Sequence, residues 1–212
     1  MKYLLTLLLF ISTFTYSQKK DTIRIMHTNY TTLFNIKLKY PVLVEWWETK
    51  AKVSCKNKLK RKDNFKPDPL LYNETDIANY YVNSGYDRGH LCPAASNECL
   101  TTQVLNECFY YSNMAPQTRN LNAGTWKILE ELTRQKAIEK DSIHVWAGAF
   151  GNKGKIGKIT IPERFWKVIF IKSTGEWFAY IFDNTKVKDP LGLPPHIVKV
   201  SDVEKFAKIK IK

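Results

Sequence analysis

The chain of 212 residues carries 33 Lys and Arg against 20 Asp and Glu, which gives a formal net charge of +13. Its length suffices for one domain with a substantial core, and no internal repeat or low-complexity linker divides it. Apart from the N-terminus, no stretch is apolar enough to cross a bilayer, which excludes a multispanning membrane protein. The basic excess favours a polyanionic partner; nucleic acid, anionic lipid and wall polymer all fit that description.

The N-terminal stretch has the layout of a secretory signal peptide. Lys2 precedes an apolar run, and small or hydroxyl residues follow at Thr15 and Ser17. A buried N-terminal helix is the less favoured alternative. We expect a signal peptide over residues 1–17, a single domain over 18–212, and a secreted or periplasmic protein without stable membrane insertion after cleavage.

The rest of the chain contains patterns typical of both strands and helices. Alternating residues in 22–47 predict strands, residues 55–70 are basic and then Pro/Asp-rich as in a surface loop, and "GYDRGHL" predicts a strand entered through Gly85. Short helices are predicted at "TDIANYY" and near 101–109, a short extended piece at "YYSNMAPQ", and a long helix over 122–140. Three apolar strands and a final helix follow, so we predict an α+β fold with a largely antiparallel sheet.

Four cysteines, Cys55, Cys92, Cys99 and Cys108, allow three disulfide pairings. The sequence does not select one of them. Pairing of Cys99 with Cys108 would close a short local loop.

The tetrapeptide Asp87-Arg88-Gly89-His90 is a candidate reaction centre. In an extended strand Arg88, His90 and Cys92 share one face and Asp87 points to the other. A neighbouring permanent cation favours the neutral imidazole, which suits a general base. Rival interpretations are a thiol enzyme using Cys92, a zinc site and a buried core histidine. No Cys-x-x-Cys spacing supports zinc.

The predicted long helix presents Asn122, Trp126, Glu130 and Arg134 at intervals of four residues. An amide oxygen with waters suits Mg²⁺, and a guanidinium suits a phosphate oxygen. Taken alone, such a stripe is more often a solvated helix face.

Four segments, "YDRGHLCPAA", "FYYSNMAPQ", "LNAGTWKILE" and "IPERFWKVIF", occur in an order and at separations that resemble the DNA/RNA non-specific endonuclease family. The resemblance runs from about Tyr30 to Phe206. It implies a ββα-metal fold, in which the catalytic strand and the long metal-ligand helix pack together. It also implies Mg²⁺-dependent cleavage of DNA and RNA, with Mn²⁺ as a substitute ion and 5′-phosphate products.

Matched by position, the resemblance makes His90 the base that activates water and Asn122 the single protein ligand of a hydrated Mg²⁺. Glu130 would hold metal-bound water. Arg88 and Arg134 would stabilise the phosphate charge, with Arg134 nearer the leaving group. Asn113 and Gln117 match positions that line the same site and contact substrate.

One position departs from the family pattern. Some family members carry an arginine two residues before the aromatic of an Arg-x-Phe/Trp-x-x-Asp-Pro pattern, and this chain has Asp63 there, ahead of Phe65. We expect Arg61 to turn towards the phosphate, with Lys62 as the alternative and Asp63 facing solvent.

Two other functions remain open at this stage. A catalytically silent nuclease-like domain could bind only nucleic acid or a partner, and a basic envelope-binding protein would leave the four segments unexplained. The sequence identifies neither an inhibitor nor an oligomeric partner.

Overall fold

The computed structural model describes residues 21–212 as an α+β fold built on one antiparallel sheet of seven strands. The strand order is β1-β2-β3-β6-β9-β10-β11, and every neighbouring pair is antiparallel. The sheet strands are β1 (Thr22–Met26), β2 (Thr31–Asn35), β3 (Tyr40–Thr49), β6 (Ser142–Phe150), β9 (Arg164–Ile171), β10 (Glu176–Asp183) and β11 (Ile197–Val198).

Two small ladders and six α-helices are also present in the described part, besides four 3-10 helices, Pro69–Leu71, Ala94–Ser96, Tyr111–Asn113 and Pro194–His196, and one π-helix, Leu121–Thr125. The ladders pair β4 (Asp87–His90) with β5 (Met114–Gln117) and β7 (Lys155–Ile156) with β8 (Ile159–Thr160). The helices are α1 (Lys50–Val53), α2 (Tyr72–Thr75), α3 (Ala78–Tyr81), α4 (Thr102–Glu107), α5 (Trp126–Lys140) and α6 (Val200–Ala207).

The central strands are apolar on both faces because both faces are covered. On β9, Phe165 and Ile169 pack into the cluster that contains Trp126 of α5. The alternate residues Trp166 and Val168 pack into a second cluster with α6. Continuous apolar strands are therefore the expected sequence for this sheet. The site described below lies on the α5 side.

The predicted α+β class and antiparallel sheet are confirmed. The predicted helix over 122–140 begins four residues late, because Leu121–Thr125 form a wide π-helical turn in which Gly124 is non-helical at φ −104°, ψ −117°. Asn122 thus lies outside the α-helix. The predicted helical spacing of four residues is therefore wrong for Asn122 and holds for Trp126, Glu130 and Arg134.

The suggested Cys99–Cys108 disulfide is wrong: Cys55 pairs with Cys99 across 44 residues. Cys92 and Cys108 are free, buried thiols. The long-range bond arises because the loop after α1 folds back onto the segment after β4, with Leu59 N bonded to Glu98 O at 2.7 Å.

The signal peptide predicted at 1–17 lies outside the described residues. Within residues 21–212, no helix is long and apolar enough to cross a membrane.

Candidate active site

The β4–β5 ladder carries the Asp-Arg-Gly-His segment, with Asp87 opposite Gln117 and His90 opposite Met114. Gly89 permits an unusually close approach, since a Cβ there would lie 2.3 Å from Gln117 Oε1. Only glycine fits this position. Gln117 is fully buried, and its amide atoms have no hydrogen-bond partner within the described chain.

His90 is held as a neutral imidazole. It is 9% exposed and packs against Phe65 and Phe109, with ring centroids 5.6 and 5.2 Å away. Burial, followed by the nearby cation of Arg61, lowers its pKa to about 3. Nε2 has no hydrogen-bond partner in the described chain, so it is the nitrogen available to act as a base.

Arg88 lies on the same face as His90, as the strand alternation predicts. Its guanidinium is 5.1 Å from the centre of the Phe65 ring and 5.4 Å from that of Tyr81. Its Nε donates to Tyr111 Oη at 3.3 Å. These aromatic contacts fix the plane of the guanidinium beside the imidazole.

Arg61 does turn towards this centre, 5.4 Å from the Phe109 ring that also contacts His90. Its Nε bonds Asp63 Oδ1 at 2.7 Å, and the two side chains are 49% and 66% exposed. Asp63 is therefore solvent-facing but also the present partner of Arg61. Lys62 is exposed on the same loop.

Asn122 is oriented by Asp87, the residue on the opposite face of β4 from His90. Asn122 Nδ2 donates to Asp87 Oδ2 at 2.8 Å, and Arg119 bonds the same oxygen at 3.3 Å. The amide oxygen of Asn122 is thereby left as its acceptor. In residues 21–212 no group of three or more His, Cys, Asp or Glu could hold a metal ion. A single amide oxygen with waters suits a hydrated ion such as Mg²⁺.

Helix α5 joins this centre through Trp126, whose Nε1 donates to the His90 carbonyl at 3.1 Å. Glu130 and Arg134 follow Trp126 by about one and two helical turns, and both are half-buried. Burial raises the pKa of Glu130, whereas Lys167 and then Arg134 lower it. Arg134 Nη1 has no hydrogen-bond partner among the described residues.

Asn113 is brought to the site but lies beneath its surface. It is fully buried, donates to the carbonyls of Cys92 and Cys108 at 2.8 Å each, and accepts from Cys92 N at 2.9 Å. Both of its amide hydrogens and one lone pair of its oxygen bond the backbone, so Asn113 supports the chain beneath the site, and its expected contact with substrate stays a prediction. Cys92 is fully buried beside Asn97, as expected for a packing residue.

Two contributors were missed from the sequence. Phe65 contacts both Arg88 and His90, and the motif in which it lies did not predict these contacts. Lys167 sits beneath α5, and its signal was a lysine at an inward position of an apolar strand, between Phe165 and Ile169.

The sequence profile of the DNA/RNA non-specific endonuclease family matches residues 9–212. The chain belongs to this family. It is 36% identical over 132 residues to a Nuclease of Nostoc sp., covering 60% of this chain and 48% of that protein. It is 29% identical over 142 residues to human mitochondrial Endonuclease G, covering 59% and 48%. The chain thus spans about half the length of these relatives.

A crystal structure of the EndoG/EndoGI complex, which concerns EndoG inhibition, matches with a TM-score of 0.77 and 26% identity. The match covers 89% of this chain and 84% of that one. The expected ββα-metal endonuclease fold is confirmed by this likeness.

The predicted secreted or periplasmic location is contradicted by the comparisons. Endonuclease G, EXOG and Nuclease 1, all similar to this chain, are named as mitochondrial proteins. Membership of the family therefore does not indicate export.

Proposed function

We propose that residues 18–212 form a single Mg²⁺-dependent endonuclease domain that hydrolyses DNA and RNA to 5′-phosphate products. The observation that carries the proposal is the free Nε2 of a neutral His90, flanked by the guanidinium groups of Arg61 and Arg88 and joined to helix α5 through Trp126. A base next to phosphate-binding cations is what phosphodiester hydrolysis by water requires.

Each residue has a separate task in this reaction. His90 Nε2 takes the proton of the attacking water. Arg88, fixed by its aromatic neighbours, binds the scissile phosphate and stabilises the charge that grows on its oxygens. Arg134 stabilises the leaving oxygen, and Arg61 with Lys62 binds a flanking phosphate.

Asn122 would hold the ion through its amide oxygen, and Glu130 would accept hydrogen bonds from the waters around it. When bound, Mg²⁺ supplies Lewis-acid stabilisation of the phosphate and leaving group, and Mn²⁺ can take its place. Because these groups grip phosphate and metal without reaching base edges, the site supports cleavage irrespective of sequence and sugar.

The direct test is to incubate the protein with supercoiled plasmid and with RNA, in Mg²⁺ and in EDTA. We expect metal-dependent nicking and then degradation of both substrates. End-labelling of the products then reports whether the 5′ end carries the phosphate.

His90→Ala should lower the cleavage rate by about 10²–10⁴. His144→Ala is the matched control, because that imidazole is stacked between Trp47 and Trp146. Parent-like cleavage by His90→Ala would refute the assigned base. Tight binding of nucleic acid without cleavage under any divalent ion would instead favour the silent, binding-only domain.

A further inference from the structure

A lysine lies in the core of the sheet directly beneath helix α5. Lys167 is fully buried at the centre of β9, between Ala147 and Tyr180 on the neighbouring strands. Its Nζ has no hydrogen-bond partner in the described chain. A buried lysine is rare unless it is paired, since removing an ammonium from water costs several kcal/mol. Its surroundings must therefore compensate the charge.

Aromatic faces and carboxylates provide that compensation. Nζ lies 4.3 Å from the centre of the Trp126 ring and 5.8 Å from that of Trp46. Glu48, 1% exposed, accepts hydrogen bonds from Trp46 Nε1 and Ser96 Oγ at 2.9 Å each. With Glu130 and Arg134 of α5, the cluster contains two carboxylates and two cations and so has no net formal charge.

Among the described residues Lys167 forms no ion pair with Glu130, but each lies in the electric field of the other. Burial lowers the pKa of Lys167, and Glu130 opposes that shift more than Glu48 does. For Glu130, Lys167 is likewise the leading attractive charge, ahead of Arg134.

Trp126 connects this cluster to the base. One face of its indole receives the Lys167 ammonium, while its Nε1 donates to the His90 carbonyl at 3.1 Å. The ring packs edge-on against Phe165 and Phe182, with centroids 5.6 and 6.0 Å away. A single side chain thus contacts both the catalytic strand and the buried cation.

We propose that Lys167 is a positioning residue of the active site, whose ammonium holds the Trp126 indole in place from beneath the helix and attracts the Glu130 carboxylate. The inference rests on the proposed nuclease function. It assigns no substrate contact to Lys167, which acts only through Glu130 and Trp126.

The test is a double-mutant cycle on kcat and KM with Lys167→Met, Glu130→Gln and both together. Methionine keeps an unbranched chain of similar length without the charge. Lys167→Met should lower kcat by about tenfold or more and change KM little, whereas in the Glu130→Gln background it should cost much less, because coupled neighbours are not additive. Thr133→Val is the control: Thr133 is buried on the same helix and bonds only Leu129 O at 2.6 Å. The factor by which Thr133→Val changes kcat should be the same in the parent and in the Glu130→Gln background.

Parent-like kcat in Lys167→Met, or equal factors in both backgrounds, would overturn the positioning role. If Lys167→Met does not fold, the double variant Glu48→Gln/Lys167→Met is used in its place, because it removes one charge of each sign and keeps the cluster neutral. Its kcat should stay below that of Glu48→Gln alone, and equality would overturn the inference. Absence of cleavage by the parent protein is a different result, because it removes the proposed function itself.

Discussion

At the scale of single residues, the protonation of His90 depends on a neighbour that is far away in sequence. Burial and then Arg61 lower its pKa from 6.5 to about 3. At any pH well above about 3, the imidazole of His90 is therefore neutral. Binding of a phosphate by Arg61 would reduce this effect and make Nε2 more basic when substrate is present.

Arg61→Ala should consequently raise the pKa of His90. The acidic limb of the pH profile of kcat/KM, which reports the free enzyme, should move to higher pH but stay below 6.5 because the burial remains. Lys62→Ala is the control and should leave the limb in place. An Arg61→Ala profile that superimposes on the parent's would show that the cation does not act on the base.

Asp87 orients the amide of Asn122, so its loss should affect the metal more than the chemistry. Asp87→Ala should raise the Mg²⁺ concentration for half-maximal rate by about 10- to 100-fold, as for other groups that orient metal ligands. Excess Mg²⁺ should restore most of the rate. Arg119→Ala, which removes the other partner of Asp87 Oδ2, should leave the Mg²⁺ requirement unchanged. A lower maximal rate at an unchanged Mg²⁺ requirement would contradict this role.

At the scale of elements, the β4–β5 ladder depends on Gly89. In Gly89→Ala the new Cβ would meet Gln117 Oε1 at 2.3 Å and Gln117 Cβ at 2.6 Å. We expect a loss of about 1–3 kcal/mol in the free energy of unfolding, typical of overpacking, together with a large loss of activity as His90 shifts. Urea unfolding and cleavage assays measure both. Adding Gln117→Gly removes the clashing atoms and should recover stability. A double variant as unstable as Gly89→Ala would show that the clash with Gln117 is not the cause.

The basic loop over residues 56–66 is tied at both ends. Cys55–Cys99 secures its start, and Lys66 pairs with Tyr110 at its end. Removing the disulfide with Cys55→Ser/Cys99→Ser should cost about 2–4 kcal/mol of stability. It should also raise KM with little change in kcat, because Phe65, which contacts His90, stays next to the Lys66–Tyr110 pair at the other end of the loop. A thiol reductant should shift the parent's KM similarly but leave the double variant unaffected. A fall in kcat alone would contradict this division.

At the scale of the whole molecule, the net charge of +13 predicts binding that weakens with salt. For duplex DNA, Arg61→Ala should lower the slope of log K against log salt by roughly one unit, the value for one phosphate contact. Asp63→Ala should tighten binding, since it frees Arg61 from its 2.7 Å ion pair. If Arg61→Ala and Lys62→Ala both behave as the parent, the loop is only a solvated surface.

The sequence by itself determined the α+β class and supplied most of the residues proposed for the site. Alternation along β9 and the periodicity of α5 follow from burial on a sheet face and a helix face, and these patterns are local. The motif order likewise predicted His90, Arg88, Asn122 and Glu130 as site residues, because each occupies a recognisable segment.

Only the tertiary structure decided what those residues touch. The Cys55–Cys99 pair, the approach of Arg61 to His90 and the burial of Lys167 beneath Glu130 all join segments distant in the chain. The bond of Asn122 to Asp87, 35 residues earlier, is of the same kind. Such contacts depend on how elements pack across the core, which no local pattern of polar and apolar residues specifies.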